Sequence, residues 1–190
     1  MNSLKTNLKT WIVAVSLALG GISVGAPLGV ASTQPATNQG QSDSAARLTE
    51  EVRHELAMLP YYGVFDYLEY QIMGTEVKLM GAVVNPSTKS QAEGSVKRIN
   101  GVTRVVDDII VLPPSGMDDQ IRRAEYRAIF SAGQLAPYSM GVNPAIHIIV
   151  DNGHVTLEGI VMNEADRNLA QLRANSVPGV FSVTNNLRGD

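Results

Sequence analysis

Few residues in this chain of 190 are equipped for chemistry, and their spacing works against a catalytic centre. Cysteine is absent, which removes disulfides, thiolate nucleophiles, thiolate metal sites and a lipid-modified N-terminal Cys together. Among the histidines, His54 stands between Arg53 and Glu55 on a helical stretch and reads as solvated. His147 and His154 fall on one strand pair, where hairpin geometry sets His147 opposite Glu158 and His154 opposite Asp151. Both rings are then expected on the outer face, far apart, as exposed polar pairs. Metal ligation needs three or four ligands converging within about 2.0–2.3 Å of the ion. Asp118-Asp119 fits the start of a helix, where the dipole favours acids. Asp107-Asp108 lies in a strand, so its side chains point opposite ways. There is no Gly-x-Ser-x-Gly and no phosphate loop, and Gly20-Gly21 has no accompanying Lys. No catalytic residue, metal or cofactor is expected, and the protein reads as non-enzymatic.

One segment has the chemistry of a surface contact. Arg122, Arg123 and Arg127 cluster on a predicted helix with Tyr126, Ile129 and Phe130 interleaved, and the following loop carries Leu135, Tyr138 and Met140. Guanidinium groups beside aromatic rings suit a membrane interface, the charge meeting phosphate and the rings reaching acyl chains. Arg122, Arg123, Tyr126, Arg127, Phe130, Tyr138 and Met140 are therefore the candidate lipid or partner contact. Burial of Ile129 and Phe130, with neutralisation of the arginines by Asp118, Asp119 and Glu125, is the competing structural explanation.

These residues must be positioned by a repeated unit. Val77-Lys78-Leu79-Met80-Gly81-Ala82-Val83 matches Val155-Thr156-Leu157-Glu158-Gly159-Ile160-Val161 at an offset of 78. The same offset superposes Asn85 on Asn163 and Gly101-Val102 on Gly179-Val180, which marks a duplication. Asn152-Gly153 suits a type I′ turn, where both central residues need positive φ. The turn pairs Val150 with Val155 and Ile148 with Leu157; Gly74-Thr75 likewise pairs Ile72 with Val77 and Tyr70 with Leu79. Gly81 and Gly159, inside strands, are expected to let a helix approach closely. Asn85 and Asn163 read as helix N-caps, with Pro86 at a first helical position. Ala92, Val96 and Ile99 in one copy and Ala165, Leu169 and Leu172 in the other form apolar stripes, before a final strand over Val102–Leu112 or Val180–Leu187. Each unit opens with a helix, striped by Leu48, Val52, Leu56 and Leu59 or by Ile121, Ala124 and Ala128. The fold class is α+β: two tandem α-β-β-α-β modules, each a three-stranded sheet with two helices on one face. The partly apolar outer faces (Tyr67, Met80 and Ala82; Ile149 and Ile160) are expected to meet each other or a partner.

A Val-x-Leu-x-Gly-x-Val strand, a helix and then Gly-Val-x-x-Val resembles the BON (bacterial OsmY and nodulation) domain. The cleaner copy runs Asn152-Gly153-His154-Val155-Thr156-Leu157-Glu158-Gly159 and Gly179-Val180-Phe181-Ser182-Val183; the first carries Asp107-Asp108 where the family usually shows Asn. The resemblance implies a non-catalytic periplasmic protein concerned with envelope integrity or osmotic stress, some members being phospholipid-binding. It implies a phospholipid surface for the helix of Ile121–Phe130.

The N-terminus has Lys5 and Lys9, an apolar run from Trp11 to Leu19, and small residues at Gly29-Val30-Ala31, the layout of an export signal. Residues 1–31 are read as a cleaved signal, the alternative being an uncleaved inner-membrane anchor. Residues 32–44 are read as a flexible linker, 45–113 as the first module and 117–190 as the second. Net charge is −3, and more negative by two once both lysines are removed, so general attraction to nucleic acid is excluded. Expected partners are anionic phospholipid or envelope proteins; the alternative function is a soluble protein-interaction or chaperone-like module that binds no lipid.

Overall fold

The computed structural model describes residues 37–189 apart from 142, with side chains from Asp43 onward. The expected signal, residues 1–31, lies outside the described residues. Two α+β units follow one another. The first has α1 (Thr37–Ala57), β1 (Tyr67–Met73), β2 (Glu76–Val83), α2 (Pro86–Lys97), β3 (Arg104–Asp107) and β4 (Ile110–Val111). The second has α3 (Gly116–Phe130), a 3-10 turn (Ala136–Ser139), β5 (Ile146–Asp151), β6 (His154–Val161), α4 (Glu164–Asn175), β7 (Ser182–Asn185) and β8 (Arg188–Gly189).

Turn chemistry sets the register in both copies. Asn152 and Gly153 have φ of 51° and 78°, as a type I′ turn requires, and β5 pairs with β6 through Val150 with Val155 and Ile148 with Leu157. At the hairpin turn of the first copy only Gly74, not Thr75, takes positive φ, and Tyr70 pairs with Leu79. Val77, Leu79 and Val83 thereby face the helices and join Leu48, Val52, Leu56, Ala92 and Val96 in one core. Ile148, Val150, Val155, Leu157 and Val161 do the same with Ile121, Ile129, Ala170 and Ala174. The helices of each unit pack on each other and on one sheet face, α1 with α2 and α3 with α4. Asn85 and Asn163 cap α2 and α4, their side chains accepting from the amides of Ser87 and Asp166.

Five expectations need correction. The linker read over 32–44 is helical from Thr37, because extending a helix anchored at Leu48 and Val52 costs less than nucleating one. The last strand of each unit is broken in two. Asp107 Oδ1 accepts from the Ile109 amide at 3.0 Å and Asn185 Oδ1 from the Leu187 amide at 3.1 Å. Each turn drives the following apolar residue inward, Ile109 to 2% exposure and Leu187 to 3%. Aspartate serves as well as asparagine here because only a side-chain oxygen is needed. The glycines inside the strands do not admit a helix: at Gly81 and Gly159 φ is 114° and 125°, and a Cβ would meet the carbonyl oxygens of Tyr67 and Ala145 on the partner strand. The stripe read as Ala165, Leu169 and Leu172 is displaced: α4 buries Asp166, Ala170 and Ala174, while Ala165 and Leu172 are exposed. The stripe read as Ile121, Ala124 and Ala128 is also displaced. The buried residues of α3 are Asp118, Ile121, Arg122, Glu125, Ile129 and Phe130, with Ala124 and Ala128 half-buried.

The units meet through the segment 61–67 rather than through broad sheet faces. Val64 and Phe65 pack on the second core, and the Ile148 amide on the β5 edge donates to the Val64 carbonyl at 2.7 Å. Of the outer-face residues expected at this contact, Tyr67 takes part and Ile149 is buried, whereas Ile160 is 54% exposed.

Candidate functional site

Helix α3 starts at Ser115, whose Oγ accepts from the Asp118 amide at 3.2 Å. Asp118 is 1% exposed, and its carboxylate accepts from the hairpin-tip amides of Asn152 at 3.0 Å and Gly153 at 2.8 Å. It ties helix to hairpin. Asp118→Ala is expected to cost about 2 kcal/mol, since two donors lose a charged acceptor. Urea unfolding measures this, and faster amide exchange at Asn152 and Gly153 marks its location.

One turn on, Arg122 is also interior, at 3% exposure. Its Nη1 donates to Asp119 Oδ1 at 2.7 Å and its Nη2 to the Val150 carbonyl at 2.6 Å. Glu125 is fully buried, and neither of its carboxyl oxygens has a hydrogen-bond partner. Burial pushes its pKa up to about 8. Of the acids expected to neutralise the arginines, Asp119 does so for Arg122, whereas Asp118 is taken by the hairpin turn and Glu125 lies in the core.

Arg123 and Arg127 point away from this core and are exposed. Arg127 Nε donates to the Arg123 carbonyl at 3.0 Å, and neither guanidinium forms an ion pair with a carboxylate among the described residues. Between them Tyr126 is 39% exposed, its ring edge-on to Phe130 at 5.0 Å and Phe65 at 6.4 Å. Arg123, Tyr126 and Arg127 form a small basic-aromatic surface.

The other candidates lie elsewhere. Phe130 is 8% exposed and belongs to the second core. Tyr138 is equally buried; its Oη donates to Asp166 Oδ2 at 2.5 Å and accepts from the Met162 amide at 2.9 Å. Gln134 donates to the other Asp166 oxygen. In the first unit the amide equivalent to that of Met162, Val84, is satisfied by Asp66 Oδ1 at 2.7 Å. Tyr138 is therefore a structural strut, held inward because an aspartate waits for its hydroxyl. Met140 is 72% exposed after the 3-10 turn.

Among the histidines, His154 is exposed, with Nδ1 2.7 Å from Ser182 Oγ, and His54 is exposed on α1. His147 does not form the expected exposed pair. It is 6% exposed, its Nδ1 lies 3.3 Å from the Gly63 carbonyl, and its ring lies 5.5 Å from that of Tyr62 and 5.6 Å from that of Tyr67. The signal for Asp166 was present in the Asn163-x-x-Asp166 spacing; His147 had none, because the residues covering it come from the other unit. Among the described residues no group of three or more His, Cys, Asp or Glu side chains is placed to hold a metal ion. Nor is any described helix long and apolar enough to cross a membrane.

Comparison with known proteins follows this architecture. The BON domain profile matches residues 44–113 and again 118–189. No curated protein sequence matches the chain significantly. Two solved structures of CdsD, a structural protein of the Type III secretion system of Chlamydia trachomatis, the second its C-terminal domain, align at 15% identity. They cover 76% and 74% of this chain, and 93% and 96% of their own, with TM-scores of 0.28 and 0.27, values too low to carry an argument.

Proposed function

The chain belongs to the BON domain family, and from that premise we propose that it is a non-catalytic envelope-maintenance or stress protein of the periplasm that associates peripherally with anionic phospholipid surfaces. The observation supporting this reading is the pair of exposed arginines on α3, one turn apart and without carboxylate partners, beside the open edge of Tyr126. Two guanidinium groups on one helix face can each engage a lipid phosphate. The contact is shallow. With Phe130 and Tyr138 turned inward, the affinity must come from charge, at about 1 kcal/mol per arginine.

The double variant Arg123→Glu/Arg127→Glu is expected to lose about 30-fold or more in binding to vesicles containing phosphatidylglycerol, measured by flotation at low salt. Binding by the parent protein should fall as salt is raised. Failure of the parent to float at low salt, or equal binding by the double variant, would remove the reading. Arg122→Glu is unsuited to this test because that side chain is interior.

A second reading, association with a protein partner, is favoured by the exposure of Met140, Ile160 and Met162 at 72%, 54% and 77%. The Met162 amide bonds Tyr138, two residues before Met140, which brings the two methionines to one end of the second unit. Parent-level vesicle binding by Met140→Ser/Met162→Ser, with loss of a co-purifying partner, would separate the two readings.

A further inference from the structure

We infer that His147 is a proton-operated latch between the two BON units, docking them while its ring is neutral and releasing them when the ring gains a proton. The geometry makes it a junction residue. Its strand belongs to the second unit, but the ring is enclosed by Tyr62, Gly63 and Tyr67 of the first. Undocking would return it to water without disturbing the hairpin that carries it, whose register is set by the Asn152-Gly153 turn. Protonation is thus coupled to the contact between units rather than to the folding of either.

Every charged or titratable neighbour bears on the sign. Asp66 is the acid whose charge acts on the ring. It is 5% exposed, and its oxygens accept from the amides of Gly63 at 3.1 Å and Val84 at 2.7 Å. Glu158 lies opposite on β6, with Oε1 accepting from Asn186 at 2.7 Å. Arg53, Tyr62 and Tyr70 share with His147 a crevice of about 200 Å³. Burial lowers the pKa of His147, outweighing the raising effects of the Gly63 and Asp66 backbone bonds and of the Asp66 charge. A histidine whose docked pKa is depressed favours docking above its free value near 6.5, and that contribution drains away as pH falls below it. Asp66 acts in the opposite direction. Burial raises its pKa, so the docked state takes up its proton more readily and is favoured on acidification. Replacing His147 by a non-titrating ring should therefore abolish or invert the acid response.

The natural absence of cysteine makes the test direct. Fluorophores on Ser90→Cys of α2 and Leu172→Cys of α4, both exposed positions, report the separation of the units in the full chain. Energy transfer is expected to change between pH 7.5 and 4.5 with unaltered far-UV circular dichroism. The open fraction should grow by up to roughly tenfold per pH unit below 6.5. In His147→Phe, which keeps a ring between the tyrosines, and in His147→Gln the response should vanish or reverse. The proposal is overturned if transfer in the parent is constant over this range, if either variant responds as the parent does, or if the change coincides with loss of helix signal.

Discussion

Glu125→Leu is expected to stabilise the protein by about 3 kcal/mol at pH 7 and to remove the largest part of its loss of stability toward alkaline pH. The buried carboxyl takes a proton near pH 8, whereas the unfolded side chain gives it up near 4.5. Below pH 4.5 both states are protonated and the ionisation penalty of Glu125 vanishes. As pH rises the unfolded state is favoured by about 1.4 kcal/mol per unit, until the folded carboxyl also ionises near 8. The penalty at neutrality is thus on the order of 3 kcal/mol. An apolar side chain fits the site by internal analogy: Glu125 stands between buried Ile121 and Ile129 at four-residue steps, as fully buried Val52 stands between Leu48 and Leu56. Urea unfolding at pH 5, 7 and 9 should show the parent weakening across the series much more steeply than the variant. Glu125→Gln should lose the slope and gain less, because its amide is left without the partners that a buried polar group needs. Parallel slopes for parent and Glu125→Leu would refute the assignment.

The same helix shows where sequence stops informing on structure. Turns and caps were legible because their determinants are local: Asn152-Gly153 requires two positive φ angles, and Asn85 and Asn163 each cap within three residues. Repetition at a fixed offset then made strands, helices and pairing readable together. Nothing local separates Arg122 from Arg123, adjacent residues of one type. The first reaches Val150 in the interior and the second faces water, a difference created by where β5 passes. Charged residues at Asp118, Arg122 and Glu125 also erased the apolar periodicity of α3, so its stripe was read on the small alanines beside them. For His147 strand alternation correctly places the ring on the outer face; its burial comes from Tyr62 and Tyr67, more than seventy residues away in the chain. Local chemistry was sufficient for the fold, and the interior charges and the junction were the parts that it left open.

Gly159→Ala is expected to be among the most damaging single methyl additions in the molecule, at about 3–5 kcal/mol. Two effects add. At φ 125° the backbone lies where side-chain-bearing residues are rarely found, and the new Cβ would sit 2.0 Å from the Ala145 carbonyl oxygen. That oxygen cannot simply swing aside, because it accepts the Ile160 amide at 3.0 Å and closes the end of the β5–β6 ladder. Relief of the clash must therefore move one strand against the other next to Ile146 and Val161, both in the second core. Gly81, with φ 114° and the Tyr67 oxygen 2.1 Å from its Cβ position, should respond alike in the first unit. Gly133 supplies the contrast: a Cβ there meets nothing within 4 Å, and Gly133→Ala should leave the urea midpoint nearly unchanged. Were Gly159→Ala as mild as Gly133→Ala, the glycine would be dispensable at the strand crossing, and its recurrence in both copies would need a cause other than backbone approach.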